Sequence, residues 1–286
     1  MRSLERSLHE LRRDCGRARR RLSGLASQLH TLRRQTGQLV ALRNEEQHYA
    51  SRIEALERTL DVGRVDWHMR GVVERAEVVG YPIPYLWIPE LLPDDVYQAV
   101  LDAVPVAVFI DDHPAGRREL PVPPRMAPTH AVVTWAFLTE VAHRPLSDLL
   151  LARFQPFLAA HVATRFPELP PFGEWGVEIT LSEDRIVRRG LGDSSRVTDD
   201  RPWTLLSGIL CLARPSDTDG CGGRLGSKVF PCRPNSALVF LGSASSYEYG
   251  SISPDAGADQ ERYSYEFDIG PTREGRRRLT AMLERE

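Results

Sequence analysis

A series of short apolar segments near the C-terminus constrains the fold more strongly than any other part of the chain. Between Trp203 and Phe267, strongly apolar or alternating runs are separated by Gly, Pro and Asn. Runs of this length and composition, bounded by turn residues, are typical of antiparallel strands in a sandwich or barrel. We therefore expect the chain to build its core from antiparallel sheets.

The composition argues against several other classes of protein. With 42% hydrophobic and 27% charged residues, the 286-residue chain has the balance of a soluble globular protein, and its net charge of −2 weighs against general affinity for nucleic acid. No apolar run approaches the roughly 18 residues of a membrane span, and the Arg-rich N-terminus differs from an apolar signal sequence. We expect a cytoplasmic protein with no transmembrane segment. Every basic residue except Lys228 is Arg, a bias typical of bacteria with GC-rich genomes.

The expected compartment predicts the state of the cysteines. They lack the paired spacing of a metal site, and a cytoplasmic protein keeps its thiols reduced, so we expect four free thiols. The four are Cys15, Cys211, Cys221 and Cys232.

Residues 4–60 carry the periodicity of a long amphipathic helix. Apolar or small residues recur at alternating spacings of four and three from Leu4 to Leu39, and the pattern resumes after a shortened spacing at Leu42. A heptad pattern of this kind is typical of a coiled coil. We expect a coiled-coil helix over residues 1–62 and a homo-oligomer formed through residues 4–60.

The same helix is rich in arginine. Its first 43 residues contain eleven Arg against three acidic residues. This charge predicts either an anionic partner, such as a membrane surface or polyphosphate, or the solvated face of a self-associating coil. The solvated face is the favoured interpretation, and the anionic partner is kept as the alternative.

The remainder of the chain divides into three parts. Residues 63–80 have mixed polar character with three glycines and are interpreted as a linker, residues 81–275 as the core domain, and residues 276–286 as a C-terminal helical tail. Within the core, residues 111–128 contain five prolines and predict a loop, and two helices are expected at 131–141 and 146–165.

Motifs at both ends of the core resemble one family. An aromatic strand is followed by Leu91-Leu92-Pro93-Asp94 and a helix, and the last strand begins with Arg262-Tyr263-Ser264. This arrangement resembles the iron(II)/2-oxoglutarate oxygenase superfamily, prolyl-4-hydroxylase type. The resemblance implies an α+β fold, a double-stranded β-helix (jelly roll, cupin-like) with flanking helices, here combined with a long N-terminal coiled-coil helix.

The resemblance also implies where an iron(II) site would lie. Family members bind iron with a His-x-Asp pair and a later His, which leave open positions for 2-oxoglutarate and oxygen. Counting forward from Leu191-Gly192 places the pair on Ser194 and Arg196. Counting back from the following strand places it on Thr198 and Asp200. Neither count finds a histidine.

The second histidine is missing as well. Its expected position falls on Tyr249 or Glu248, and the chain contains no histidine after His161. By contrast, Arg262, two residues before Ser264, lies where the family places the basic residue that binds 2-oxoglutarate. The anion-binding residue is thus retained, whereas both histidine ligands are absent.

Two further hypotheses concern the residues that remain. Asp200, Glu248 and Tyr249 could offer oxygen ligands to a harder divalent cation, although no metal is the favoured prediction. His113 lies in the proline-rich loop, where a lid position would make it a candidate general acid or base.

The sequence therefore predicts a divergent oxygenase-like protein that has lost its iron triad. Its former iron pocket would bind a small-molecule or carrier-bound substrate without metal or cofactor, or would perform non-oxidative tailoring chemistry. One alternative is an active hydroxylase that uses Fe(II) and 2-oxoglutarate with rearranged ligands, and another is a non-enzymatic coiled-coil scaffold. The predicted site consists of Tyr249, Asp200, Glu248 and His113 as catalytic groups and Arg262 as the ligand-binding group.

Overall fold

A computed structural model describes the chain at residues 50–104, 111–112, 118–122, 127–189, 203–214, 222–242, 247–249 and 262–284. Contacts within the chain separate two units, Met1–Ala55 and Leu56–Glu286. The first is described only at residues 50–55, which are helical. The heptad pattern from Leu4 to Leu39 lies outside the described residues, so the coiled coil and the oligomer stay predictions.

The second unit combines helices with antiparallel strands. Its helices are α1 (Val62–Arg75), α2 (Asp94–Asp102), α3 (Thr129–Val141), α4 (Ser147–Arg165) and α5 (Arg273–Leu283), with a π-helical turn at Ala142–Leu146 and a 3₁₀ turn at Phe172–Glu174. Its strands are β1 (Val78–Val79), β2 (Tyr85–Ile88), β3 (Asp111–Asp112), β4 (Arg118–Pro121), β5 (Ile179–Arg189), β6 (Leu206–Leu212), β7 (Gly222–Leu225), β8 (Lys228–Pro231), β9 (Ala237–Leu241), β10 (Tyr247–Tyr249) and β11 (Arg262–Pro271).

The strands form two antiparallel sheets. The large sheet has the order β1-β2-β9-β6-β11-β5-β4-β3, and the small sheet has the order β10-β7-β8. After β6 the chain passes to the small sheet for β7 and β8, returns for β9, crosses again for β10 and returns for β11. Winding between two antiparallel sheets is consistent with a jelly roll. The prediction of a mixed fold of helices and antiparallel sheet is confirmed, and the predicted jelly-roll core is consistent with this topology.

Each face of the large sheet packs against a different partner. The outer face of β11 presents Tyr265, which lies in the main hydrophobic core with Trp135 of α3, their ring centroids 6.1 Å apart. The inner face meets the small sheet, because Tyr85 of β2 packs edge-on to Phe230 of β8 at 4.9 Å. This inner layer is a second apolar cluster of buried residues: Tyr85, Ile209, Leu225, Phe230, Leu238 and Phe240.

Residues 63–80, which the sequence assigns to a linker, hold α1 and β1. Asp61 caps α1 by accepting a hydrogen bond from the Arg64 amide at 2.7 Å. The apolar stripe of the helix is buried in the main core through Val65, Met69 and Val73. The glycines here do not make a hinge, because tertiary burial of this stripe outweighs their low helix propensity.

Three other local predictions need correction. The segment 111–128, expected to be a loop, contributes β3 and β4 to the edge of the large sheet. The tail predicted from residue 276 begins earlier, since α5 starts at Arg273 and buries Leu279 completely. The four cysteines are not all free: Cys211 and Cys232 form a disulfide across a Cα–Cα distance of 5.8 Å. No local pattern predicts this disulfide, because it depends on a contact between β6 and the segment after β8.

Among the helices formed by the described residues, none is long and apolar enough to cross a membrane.

Candidate functional site

The space between the two sheets is the candidate site, and β11 shows how its polar wall arises. Tyr265, Phe267 and Ile269 lie in the main core on the helix side. Because successive side chains of a strand point to opposite faces, Ser264, Glu266 and Asp268 lie on the inner face. Glu266 lies opposite Ile209 of β6 in the strand register. Ile209 belongs to the inner apolar cluster, so Glu266 also faces the small sheet.

Both carboxylates on this face are buried and paired with one arginine. Glu266 is 4% exposed and Asp268 is 5% exposed. Arg185 of β5, opposite Glu266 in the strand register, places Nη2 3.1 Å from Glu266 Oε2 and Nη1 3.5 Å from Asp268 Oδ2. We call these three residues, together with Ser207 and Ser264, the polar strip.

The two serines satisfy the carboxylate oxygens that face away from Arg185. Ser264 Oγ donates to Glu266 Oε1 at 3.3 Å, and Ser207 Oγ donates to Asp268 Oδ1 at 2.9 Å. Buried ion pairs lose the hydration of both charges, and additional hydrogen bonds are what compensates that loss. The polar strip is therefore a preorganised network inside the jelly roll.

A β-bulge lies at one end of the polar strip. The register between β5 and β11 shifts between Asp268 and Ile269, which leaves Ser182 as an extra residue on β5. Ser182 Oγ donates to the Asp268 carbonyl oxygen at 3.1 Å. Glu183 and Leu181, on either side of Ser182, keep their pairing with Asp268 and Ile269 of β11. Bulges are common beside functional sites.

The other half of the interior is apolar, with one cation at its edge. Lys228 of β8 donates a hydrogen bond to the Tyr85 hydroxyl, and its Nζ lies 4.7 Å from the centroid of the Tyr85 ring and 5.6 Å from that of Phe230. A cation over aromatic faces is stabilised by the ring quadrupole. The interior thus joins an apolar wall to a polar wall, the usual lining of a small-molecule site.

The disulfide joins the two walls. Cys211 of β6 pairs in register with Ser264 of β11, and Cys232 follows β8 of the small sheet. Tyr97 of α2 donates its hydroxyl to the carbonyl oxygens of Cys211 and Ala213 at 3.0 and 2.6 Å. This end of the interior is therefore held both covalently and by hydrogen bonds.

A second polar group lies on the opposite face of β5, outside this interior. Asp184 Oδ2 accepts hydrogen bonds from Thr139 of α3 at 2.6 Å and from the Tyr265 hydroxyl at 3.0 Å. Burial raises the pKa of the Asp184 carboxyl above its ordinary value, and burial together with the neighbouring Asp184 charge raises the pKa of Tyr265 well above its ordinary value. This group ties α3 to the sheet and does not line the candidate site.

The predicted site residues are only partly described. Asp200 and His113 lie outside the described residues. Glu248 and Tyr249 belong to β10, where they pair with Arg224 and Gly223 of the small sheet. Arg262 opens β11 in the large sheet and pairs with Arg189. The two groups thus fall on different sheets of one jelly roll, and their assignment to a single site stays a prediction.

The described residues do not fit an iron(II) site. No group of three His, Cys, Asp or Glu side chains within the described part of the chain could hold a metal ion. The two interior carboxylates, Glu266 and Asp268, are engaged by Arg185, whose positive charge disfavours a metal cation at the same place. The positions expected for the His-x-Asp pair, Ser194 to Asp200, lie outside the described residues.

No family model and no curated protein matches the chain. Solved structures with similar folds include a prolyl-4-hydroxylase from Pseudomonas putida (17% identity over 71% of this chain and 98% of that one, TM-score 0.41). Others are prolyl 4-hydroxylases from Phytophthora capsici (13% identity, 74% and 65% covered, TM-score 0.42) and HygX from Streptomyces hygroscopicus with nickel, 2-oxoglutarate and hygromycin B bound (14% identity, 65% and 82% covered, TM-score 0.38). All three TM-scores lie below 0.5, so these likenesses establish neither family membership nor a shared reaction.

The polar strip is not predicted by the sequence pattern. Glu266 and Asp268 alternate with Tyr265 and Phe267, a pattern that ordinarily indicates one buried and one solvent-exposed face. Here both faces of β11 are buried, so the polar positions face an enclosed interior. The two acidic residues that alternate with Tyr265, Phe267 and Ile269 are the available signal.

Proposed function

We propose that the interior of the jelly roll is a metal-independent site that binds a small polar molecule, free or attached to a carrier. The observation that carries the proposal is the polar strip, in which the buried carboxylates of Glu266 and Asp268 contact Arg185 beside an apolar wall. A few fixed polar groups in an enclosed apolar space are what orient a small ligand.

The residues predicted from the sequence would complete this site. Arg262 would bind an anionic group near the open end of β11, and Tyr249, Glu248 and Asp200 would supply acid or base groups for non-oxidative tailoring chemistry. His113 would act from the segment before β4. These roles rest on the sequence. The strand register assigns residue 262 to the large sheet and residues 248 and 249 to the small sheet.

Ligand binding can be tested by thermal unfolding of the full chain with a panel of small amides, amines, alcohols and carboxylates, with a chelator present. A ligand at about 100 times its Kd stabilises a protein by about 2.7 kcal/mol, which gives a measurable rise in Tm. At least one compound is expected to raise the Tm despite the chelator.

A pair of matched variants locates the binding site. Ile209→Phe enlarges a buried side chain of the inner cluster, whereas Val229→Phe enlarges a residue on β8 that is 62% exposed. The first should abolish the ligand-induced rise and the second should leave it intact. Equal loss in both would place the ligand elsewhere.

Metal analysis distinguishes the alternatives. Stoichiometric iron after anaerobic purification, together with 2-oxoglutarate turnover, would overturn the metal-independent proposal in favour of a hydroxylase with rearranged ligands. A Tm that no compound or metal changes would favour a non-enzymatic scaffold.

A further inference from the structure

The polar strip already contains an anion of its own. The Glu266 carboxylate accepts a hydrogen bond from Ser264 at one oxygen, 3.3 Å away, and contacts Arg185 at the other, 3.1 Å away. Its side chain is 5% exposed. A hydroxyl and a guanidinium are the donors that would bind the carboxylate of a ligand, and here a protein carboxylate accepts from both.

The rest of the strip is arranged in the same way. Arg185 also contacts Asp268, since its Nη1 lies 3.5 Å from Asp268 Oδ2. Ser207 Oγ donates a hydrogen bond to the other oxygen of that carboxylate, Asp268 Oδ1. The Ser207 and Ser264 hydroxyls and both terminal nitrogens of Arg185 thus contact internal carboxylates.

The position predicted to bind 2-oxoglutarate lies on the same strand as this anion, four residues before it. Alternate residues of a strand share a face at a spacing of about 6.5 Å, so residue 262 precedes Ser264 by one such step and Glu266 by two. An anion held at residue 262 and extending inward would reach the Ser264 hydroxyl, which already donates to Glu266. It would then meet the buried Glu266 and Asp268 carboxylates, which share the single Arg185 guanidinium and so leave a net negative charge among these three residues. Repulsion between like charges is weakly screened in such a buried place.

We propose that Glu266 is a built-in anion that excludes carboxylates, 2-oxoglutarate included, from the jelly-roll interior at the depth of Ser264. The site therefore takes a ligand whose inner end is neutral or cationic. The proposal rests on the proposed interior site and names the charge class of its ligand. It also means that the described donors do not fit 2-oxoglutarate.

Three variants of the full chain test this exclusion. Glu266→Gln keeps the shape of the side chain and removes its charge, and Glu266→Ala removes the side chain. The matched control is Glu274→Gln on α5, whose glutamate side chain is 63% exposed. Each protein is titrated with 2-oxoglutarate and succinate by calorimetry and by thermal unfolding, and Glu266→Ala is also titrated with acetate.

Wild type and Glu274→Gln should bind neither dicarboxylate at millimolar concentration. Glu266→Gln should bind succinate at least about tenfold more tightly than the weakest affinity that the wild-type titration would detect, because a like charge is removed. Acetate should stabilise Glu266→Ala by occupying the vacated carboxylate position. If Glu266→Gln is too unstable to purify, Glu266→Ala prepared in acetate supplies the same comparison.

Submillimolar binding of 2-oxoglutarate by the wild type would overturn the proposal. It would also be overturned if the Glu266 variants were folded but showed no more carboxylate binding or Tm increase than Glu274→Gln shows. Acetate stabilisation of Glu266→Ala, when the wild type binds no compound of the earlier panel, would refute the proposed function and support the exclusion. A wild type that binds a panel compound and also binds 2-oxoglutarate would support the function and refute the exclusion.

Discussion

Breaking the Cys211–Cys232 disulfide should lower the free energy of unfolding by about 3 kcal/mol. The bond closes a loop with a sequence separation of 21. In the chain-entropy description, a loop of that length removes about 11 cal/mol/K from the unfolded state, which is about 3 kcal/mol at 25 °C. For the unit of residues 56–286 this corresponds to a decrease in Tm of about 6–12 °C.

Cys232→Ala is the preferred variant, because Cys232 is half-buried whereas Cys211 is 5% exposed and its truncation would add a packing loss. Thermal unfolding is followed with and without a dithiol reductant. Wild type should lose the same stability on reduction as the variant loses by substitution, and the variant should not respond to reductant. Cys15→Ala, in the predicted heptad segment, serves as the control.

Alkylation followed by mass spectrometry checks the bond directly, since Cys232 should be protected in wild type until reductant is added. The reasoning would be refuted if Cys232 were alkylated without reduction, or if wild type and Cys232→Ala unfolded at the same temperature while the bond was intact.

Three other substitutions have expected outcomes. Gly208→Ala should lose about 1–3 kcal/mol, because a Cβ there would overlap the Phe267 ring, whereas Gly173→Ala, with open space around it, should be close to neutral in chemical denaturation. Asp184→Asn should gain stability relative to wild type as the pH rises from 3 to 7. The raised pKa means that Asp184 holds its proton more tightly in the folded state than in the unfolded state. Ionisation above pH 3.8 therefore costs the wild type stability that the Asn variant does not lose. A stability difference between the two proteins that did not change with pH would contradict this. Asn235→Ala should cost about 2–4 kcal/mol of unfolding free energy, because it removes two buried hydrogen bonds to Leu92 in the loop before α2. The position also has a φ of 60°, which Ala adopts less readily than Asn. A loss of less than about 0.5 kcal/mol in urea unfolding would show that these hydrogen bonds do not stabilise the loop.

Much of the jelly-roll core follows from local sequence pattern. The apolar runs that become β6 and β9 are bounded by turn residues, and the two helices expected at 131–141 and 146–165 correspond closely to α3 and α4. These predictions succeeded because strand and helix periodicity are local properties that burial reinforces. The linker prediction at 63–80 did not match α1, because the burial of Met69 depends on distant parts of the chain.

The candidate site could be predicted less well for the same reason. Arg262 is assigned from a motif, and the structure places it at the start of β11, but its role as a ligand-binding residue stays a prediction because its partners depend on the folded chain. Arg185 and Glu266 are 81 residues apart, and no local pattern indicates their contact.

The apolar segments, the heptad pattern and the absence of any histidine after His161 follow from residue identity and spacing alone. The burial of both faces of β11 depends instead on tertiary contacts. Enclosure between the helices and the small sheet removes water from Glu266 and Asp268, and a buried carboxylate requires a cation and hydrogen-bond donors. The contacts with Arg185, Ser207 and Ser264 that follow from this requirement define the interior wall of the site.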